Sequence, residues 1–193
     1  MTAEDKKSII LQSARELFFR FGFNKTSMDD IALQSKLAKP TLYYYYTNKE
    51  AIFNEIVIEE AKRFMDWVEK QIPQNIPADE QITLFFQKIY TGLKEYAAKM
   101  IDVPDCLYDY SPHGRPIVEK INQLFFEKLK PLLASGKEEG IFEYDSEETT
   151  LSSMVLMTDF LNLDWIHRYP EDKADRVVES VIKIILNGLR RRE

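Results

Sequence analysis

Apolar residues recur at spacings of three and four along almost the whole chain, and this period limits its fold more than any other feature. In the first segment the pattern is carried by Ile10, Ala14, Leu17, Phe18 and Phe21. Such spacing places apolar side chains on one face of an α-helix. The alternation typical of strands does not persist anywhere. The sequence therefore predicts an all-α protein.

Glycine, proline and capping residues divide the N-terminal part into short helices. Gly22 predicts the end of the first helix. A hydroxyl followed by two acids, over residues 26–30, predicts the start of a second. Pro40 is tolerated only in the first turn of a helix, so a third helix begins beside it. Three short helices in this order are typical of a helix-turn-helix unit.

The rest of the chain is predicted to be a larger helical body. The T-x-x-E spacing of residues 47–50 has the form of a capping box and opens a long fourth helix. Pro73 and Pro77 interrupt the pattern after it. Further helices are predicted over about residues 79–100, 115–135, 146–168 and 171–190, with a loop at Gly136 and Gly140. We therefore expect a domain of residues 1–50 and a domain of residues 51–193, which the helix over residues 51–71 connects.

Charge is distributed unevenly between these two parts. The chain of 193 residues carries a net charge of −6. Residues 1–50 hold eight Lys or Arg and six Asp or Glu, a net +2, so the other 143 residues carry −8. A basic segment beside an acidic one is a hint of a nucleic-acid-binding head, although +2 is too small to identify one.

Several classes of protein are disfavoured by the composition. The single cysteine excludes an intramolecular disulfide framework and a CxxC site. Apolar runs fall far short of the roughly 20 residues that span a bilayer, and the N-terminus lacks the apolar core of a signal peptide. His113 and His167 are distant in sequence, and no phosphate-binding glycine motif occurs. We expect a cytoplasmic protein that is not an enzyme and needs no cofactor or metal.

Four consecutive tyrosines lie in the third predicted helix, within KPTLYYYYTNK at residues 39–49. Because successive residues turn by roughly 100°, the four side chains point in different directions. Leu42 and Tyr46 share one face, which must be the buried one. Tyr44 lies opposite, and Tyr43 and Tyr45 lie on the flanks. Packing could explain Tyr46 and partly Tyr43, but it cannot explain Tyr44.

The exposed side of this helix is chemically suited to a DNA groove. Pro40 and Thr41 lie on exposed directions near Tyr44, and Lys39 and Lys49 stand at the two ends. Phenolic hydroxyls bond phosphate oxygens, and a threonine methyl can contact a thymine methyl. Lysines neutralise phosphates and release counterions.

Three spaced motifs carry a resemblance to a known family. They are TSMDDIA at residues 26–32, TLYYYY at residues 41–46 and NKEAIF at residues 48–53. Together they resemble the N-terminal signature of TetR/AcrR-family transcriptional regulators over about residues 8–55. The segment GKEEGIF at residues 136–142 is similar to the loop that precedes the dimerisation helices in that family.

The resemblance implies a role for each DNA-facing position. The residues that would contact phosphates are Thr26, Ser27, Tyr43 and Lys49. The residues that would face the bases or the groove wall are Lys39, Pro40, Thr41, Tyr44 and Tyr45. Tyr46 replaces the usual core phenylalanine, so its hydroxyl needs a partner.

Two positions depart from the family pattern. Lys36 stands where glycine is usual, and a positive φ there costs roughly 1 kcal/mol. Ala38 stands where a serine cap is usual, with a loss of about 1 kcal/mol of capping. Both leave open an alternative function, a helical ligand-binding or scaffold protein that has lost specific DNA binding.

The resemblance also implies an assembly and a mode of regulation. The helices over residues 146–168 and 171–190 would form a homodimer. Its two recognition helices would be about one DNA turn, ~34 Å, apart or somewhat more, so the double-stranded operator would be a palindrome. Such regulators are most often repressors that a small molecule releases from DNA.

Large rings and methionines in the middle helices suggest where an effector would bind. Each of these residues is more simply explained as core, but their number is consistent with a pocket for a mainly apolar ligand. The candidates are Phe86, Tyr90, Met100, Tyr108, Tyr110, Phe125, Met157 and Trp165. Asp159 and Asp164 lie in an otherwise apolar segment, so each is paired with Arg or Lys, faces solvent, or faces a cationic ligand.

Overall fold

The computed structural model describes residues 2–99, 115–158 and 170–191. These residues form eight helices and no strand, which confirms the predicted all-α class. The helices are α1 (Ala3–Phe21), α2 (Met28–Ser35), α3 (Lys39–Tyr45), α4 (Lys49–Lys70), α5 (Ala78–Lys99), α6 (Arg115–Glu138), α7 (Glu147–Thr158) and α8 (Glu171–Leu189). None of them is long and apolar enough to cross a membrane.

Helix α1 ends as predicted at Gly22, but the prediction that Phe21 belongs to its buried face is wrong. Gly22 has φ +83°, a conformation that glycine adopts readily. Phe21 is half exposed. Phe23, which follows the turn, enters the core instead, with its ring centroid 5.3 Å from that of Phe18 and 5.0 Å from that of Phe53. Because the chain reverses at Gly22, the ring of Phe23 packs in the core in place of the ring of Phe21.

The turn between α2 and α3 has both of the unfavourable features that the sequence predicts. Lys36 has φ +55° and, among the described residues, is the only one other than glycine with a positive φ. Ala38 precedes α3 and provides no side-chain cap. Pro40 is the second residue of α3, where its missing N–H costs no helical hydrogen bond. The helix-turn-helix forms despite these local costs.

Helix α4 begins one residue later than the predicted capping box, with Thr47 as the cap, would place it. The amide of Ala51 donates to Oδ1 of Asn48 at 2.8 Å, so Asn48 caps the helix and Thr47 does not. Asparagine is as good a cap as serine or threonine. The helix then continues without interruption to Lys70, close to the predicted end.

The chain divides into two compact units. The first contains residues 2–61 together with residues 115–120, and is called the head below. Its core is built from α1 to α4, and these residues are buried: Ile10, Leu11, Ala14, Phe18, Phe23, Ile31, Ala32, Leu42, Tyr46, Ile52, Phe53 and Ile56.

The second unit contains residues 62–99, 121–158 and 170–191, and is called the body below. Its core draws on α4 to α8, with fully buried side chains such as Phe85, Phe86 and Leu129. Gly136 is predicted as a loop residue, but it lies inside α6. Close packing against Phe142 is the reason for a glycine there. A Cβ at Gly136 would overlap the ring of Phe142. The loop itself turns at Gly140, which has φ +74°.

Candidate nucleic-acid interface

Helices α2 and α3 form a helix-turn-helix whose second helix has one buried face. Leu42 is fully buried. The turn is closed by backbone bonds, in which the amide of Leu37 donates to the carbonyl of Ala32 at 3.1 Å and that of Thr41 to the carbonyl of Ala38 at 2.8 Å. Apolar burial on one side of α3 leaves its other side available to a partner.

Tyr43, Tyr44 and Tyr45 take the directions that the helical wheel predicts, and Tyr46 is buried as predicted although it follows the last residue of α3. Tyr44 is 83% exposed and Tyr43 is 45% exposed. Tyr45 is half-buried, and its ring meets the edge of Tyr44 at a centroid distance of 5.2 Å. Tyr46 is buried at the end of the helix. An exposed aromatic surface therefore lies directly beside the α3 residues Pro40, which is exposed, and Thr41, which is half-buried.

The hydroxyl of Tyr46 has the partner that its burial requires. It donates to Oε2 of Glu55 on α4 at 2.9 Å. Lys7 of α1 reaches the other carboxylate oxygen of Glu55 at 2.6 Å and lies 5.9 Å from the centre of the tyrosine ring. Burial, assisted by the bond to Glu55, raises the pKa of Tyr46 well above its usual value. The phenol therefore stays protonated and ties the end of α3 to α4.

A cleft of about 470 Å³ lies at the starts of α2, α3 and α4. Its lining is polar and contains all four of the predicted phosphate-contacting residues. It is formed by Asn24, Lys25, Thr26, Ser27, Met28, Asp29, Lys39, Tyr43, Thr47, Asn48, Lys49 and Glu50. Helix N-termini favour anions because their amides and dipoles point toward them. The cleft can therefore accept phosphate groups.

Two of the predicted phosphate-contacting side chains are bonded within the head. The ammonium of Lys49 donates to the carbonyls of Phe23 at 2.8 Å and Thr26 at 3.0 Å, and it lies 4.4 Å from the centre of the Phe23 ring. The side chain of Thr26 is buried and donates to the carbonyl of Gly22 at 2.9 Å. Both side chains hold the loop between α1 and α2. Sequence reasoning missed both roles. The bonds of Lys49 join segments 23–26 residues apart, whereas the bond of Thr26 is local.

Ser27 and Lys39 remain on the surface of the cleft. Ser27 forms a capping box with Asp30, because its hydroxyl accepts from the Asp30 amide while the Asp30 carboxylate accepts from the Ser27 amide at 2.8 Å. The Ser27 hydroxyl also donates to the Asp30 carboxylate at 2.6 Å, and this bond, followed by that of the Ser27 amide, lowers the pKa of Asp30. Lys39 forms an ion pair with Asp29 at 2.6 Å, and this bond raises the pKa of the Lys39 ammonium. No pattern in the sequence predicts this pair.

Comparison with known proteins agrees with this geometry. The family model for bacterial regulatory proteins of the tetR family matches residues 10–56, which contain α2 and α3 in full. The HTH-type transcriptional regulator QacR of Staphylococcus aureus is 41% identical over 73 residues, 37% of each chain. The HTH-type regulator YhgD of Bacillus subtilis is 21% identical over 185 residues, 96% of this chain and 97% of its own. The chain belongs to the TetR family.

A solved structure extends the likeness to the whole fold of this TetR-family regulator. The Thermus thermophilus FadR, a TetR-family repressor in complex with lauroyl-CoA, has a TM-score of 0.66 at 23% identity. The match covers 97% of this chain and 96% of that one. Membership of the family makes the protein a DNA-binding transcriptional regulator with an N-terminal helix-turn-helix.

The predicted effector-contacting residues of this TetR-family chain fall into two groups. Phe86 and Tyr90 are buried, and Phe125 and Met157 are half-buried against the same core of the body. The hydroxyl of Tyr90 donates to Asp175 of α8 at 2.7 Å, and this bond, with that from Lys94, lowers the pKa of Asp175. The candidate residues that lie outside the described residues are Met100, Tyr108, Tyr110, Asp159, Asp164 and Trp165.

The described residues contain no candidate metal centre. Within residues 2–99, 115–158 and 170–191, no three histidine, cysteine or acidic side chains come together in a way that could hold an ion. The polar clusters that are present there, such as Lys128 with Asp66 and Glu69, are ion pairs between helices.

Proposed function

We propose that the protein is a homodimeric, ligand-responsive repressor that binds a palindromic operator through α3 and is released by a small, mainly apolar effector in the cytoplasm. Residues 1–50 would form the DNA-binding domain, and residues 51–193 would bind the effector and dimerise. The observation that carries the proposal is that Tyr44 is 83% exposed, opposite to Leu42, which is buried on the same short helix, while Tyr46 is buried directly after that helix.

On DNA, the exposed side of α3 enters the major groove. Lys39, Pro40, Thr41, Tyr44 and Tyr45 face the bases or the groove wall. A tyrosine or threonine there can contact thymine methyl groups, and Lys39 can reach a phosphate or a guanine edge.

The cleft beside α3 binds the phosphate backbone of the same half-site. Ser27 and Tyr43 supply hydroxyl groups on its surface. Thr26 and Lys49 contribute by holding the loop that precedes α2, since their own polar atoms are already bonded to that loop. Half to two-thirds of protein–DNA hydrogen bonds go to phosphate and sugar, so this cleft sets the register of the head on the duplex.

Dimerisation is assigned to the helices predicted over about residues 146–168 and 171–190, in which the structure describes α7 and α8. Each of these helices presents a large apolar side chain to solvent in the single chain, Leu156 at 71% exposure and Ile184 at 57%. Val177 and Val181 are half-buried on α8, and with Ile184 they continue one stripe at spacings of four and three. An apolar stripe of this kind is what a helical interface buries.

The effector is proposed to be mainly apolar because the candidate residues in the body are aromatic or methionine. Relatives support an acyl chain as the first class to test. The fatty acid metabolism regulator of Bacillus subtilis is 23% identical over 93% of both chains, and two solved FadR structures are complexes, one with stearoyl-CoA and one with lauroyl-CoA. The effector acts only if it binds one arrangement of the dimer more tightly than the other.

The proposal is tested by selecting bound duplexes from a random-sequence pool at moderate salt, using the purified full-length protein. An enriched palindrome, bound with a stoichiometry of two chains, is the expected result. Native mass spectrometry of the same preparation should show a dimer and any small molecule that copurifies. A dimer that enriches no sequence would contradict the proposal and favour the alternative function, a ligand-binding or scaffold protein without specific DNA binding.

A further inference from the structure

The ion pair between Lys39 and Asp29 lies where a DNA phosphate is expected. Lys39 is the first residue of α3 and Asp29 the second residue of α2. The Lys39 ammonium is 2.6 Å from Oδ1 of Asp29, and both side chains are more than half exposed. Both residues line the polar cleft at the starts of the helices. A carboxylate therefore neutralises a lysine inside a site that is otherwise suited to anions.

Asp29 is not needed to cap α2. Acidic residues are favoured in the first turn of a helix because they complement its dipole. Here the capping box is made by Ser27 and Asp30, whose carboxylate bonds both the amide and the hydroxyl of Ser27. The carboxylate of Asp29 is directed to Lys39 instead. Its position is thus better explained by what it does to Lys39 than by the stability of α2.

We propose that Asp29 is an internal competitor of DNA, which holds the Lys39 ammonium in the free protein and must be displaced by a phosphate when the head binds. The inference rests on the proposed function, since it requires that α3 meets DNA. Asp29 thereby contributes to the sequence specificity of DNA binding. Binding to arbitrary sequence depends almost wholly on charge, so a carboxylate that weakens the charge term leaves the base contacts of α3 to decide where the protein binds.

The size of the effect follows from two contributions of the same sign. An exposed ion pair of this kind is worth up to about a fivefold change in an equilibrium. Once the pair is open, the Asp29 carboxylate also repels the phosphate that has taken its place. Replacing the carboxylate by an amide should therefore tighten binding to any duplex by roughly three- to tenfold at low salt.

Salt dependence gives the inference a second signature. The logarithm of the binding constant falls with the logarithm of salt concentration by about 0.9 for each phosphate neutralised. A lysine that leaves a carboxylate partner contributes less than one that is free. We expect the slope for Asp29→Asn to be steeper than that of the wild type by up to about one unit.

The experiment measures binding of the full-length protein to a fluorescent 30-base-pair duplex of mixed sequence, from about 50 to 200 mM salt, a range over which phosphate contacts change affinity strongly. The variants are Asp29→Asn, Lys39→Gln and the double variant. Glu50→Gln is the matched control, because Glu50 lines the same cleft and loses the same charge. Thermal denaturation of each variant verifies that the exposed changes leave the fold intact.

The expected result is tighter binding by Asp29→Asn, a clearly smaller gain by Glu50→Gln, and loss of most of the Asp29→Asn gain when Lys39 is glutamine. Equal gains for Asp29→Asn and Glu50→Gln would overturn the inference, because only overall charge would then matter. Weaker binding by Asp29→Asn would also overturn it, since Asp29 would then help to position α3. If neither wild type nor Asp29→Asn bound the duplex at low salt, the proposed function itself would fail and the inference with it. A wild type that binds while Asp29→Asn brings no gain would contradict the inference alone.

Discussion

The head and the body differ in how their candidate functional residues relate to their cores. In the head, the residues proposed to read DNA lie on the side of α3 opposite to Leu42, and Tyr44 is almost fully exposed. In the body, Phe86 and Tyr90 are candidates for effector binding and are also buried members of the core. Binding and stability are therefore separable by mutation in the head but closely joined in the body.

The largest effect on the free energy of unfolding is expected from Phe86→Ala in the body. Phe86 is 1% exposed, and its ring packs edge-on against Phe85 at a centroid distance of 5.5 Å. Removing a buried phenylalanine leaves a cavity and should lower the free energy of unfolding by about 3–5 kcal/mol. Chemical denaturation measures the change. Phe19→Ala is the control, because Phe19 is 78% exposed in the head and should change stability by no more than about 0.5 kcal/mol.

A second substitution tests whether the body tolerates change at a small residue. Gly136→Ala adds a methyl group where a Cβ would meet the ring of Phe142, so we expect a loss of about 1–3 kcal/mol in thermal or chemical denaturation. Gly188→Ala is matched to it, since no atom lies within 4 Å of a Cβ at that helical position. It should stabilise α8 by up to about 1 kcal/mol. Equal effects at the two glycines would contradict the close packing of α6 on Phe142.

In the head, Tyr44→Ala should affect binding alone. Losing a groove contact should weaken binding to the selected operator by about 1–3 kcal/mol, roughly five- to 150-fold, in a fluorescence titration. Because Tyr44 is exposed, the melting temperature should hardly change. A large loss of stability would show that Tyr44 packs in the core. An unchanged affinity would show that Tyr44, the central residue of the proposed interface, does not contribute to DNA binding.

The sequence could predict those features that depend on residues close together along the chain. Three features depend on neighbours within one turn, and the structure bears out each of them. They are the αL conformation of Lys36, the missing cap at Ala38 and the directions of the three tyrosines at residues 43–45. Local rules of capping and helical geometry are sufficient for such features.

Other features depend on contacts between distant segments, and sequence reasoning missed them. Phe23 replaces Phe21 in the core only because the chain reverses at Gly22, and Lys49 is bonded to a loop more than 20 residues before it. Gly136 looks like a loop residue until its contact with Phe142 is known. In the body, where no local motif marks the effector, the candidate site stays a prediction from composition.

The smallest effect is expected from Tyr46→Phe, which tests the boundary between core and function inside the head. The change removes one hydroxyl and its 2.9 Å bond to Glu55 while keeping the buried ring. Glu55 retains Lys7 as a partner at 2.6 Å, so it is not left unpaired. We therefore expect a loss of only about 0.5–1.5 kcal/mol in unfolding free energy, and a few-fold weaker operator binding because the end of α3 is less firmly held.

Alkaline pH separates the hydroxyl bond of Tyr46 from simple packing. Because burial and Glu55 raise the pKa of Tyr46 in the folded protein, the folded state favours the neutral phenol. That contribution is fully present below the pKa of an unfolded tyrosine, about 10, and is lost as the pH rises above it. The wild type should therefore lose stability between about pH 9.5 and 11 more steeply than Tyr46→Phe, in denaturation curves measured at each pH. Parallel losses would mean that the phenol of Tyr46 ionises as easily in the folded head as in the unfolded chain, and that its bond to Glu55 does not hold α3.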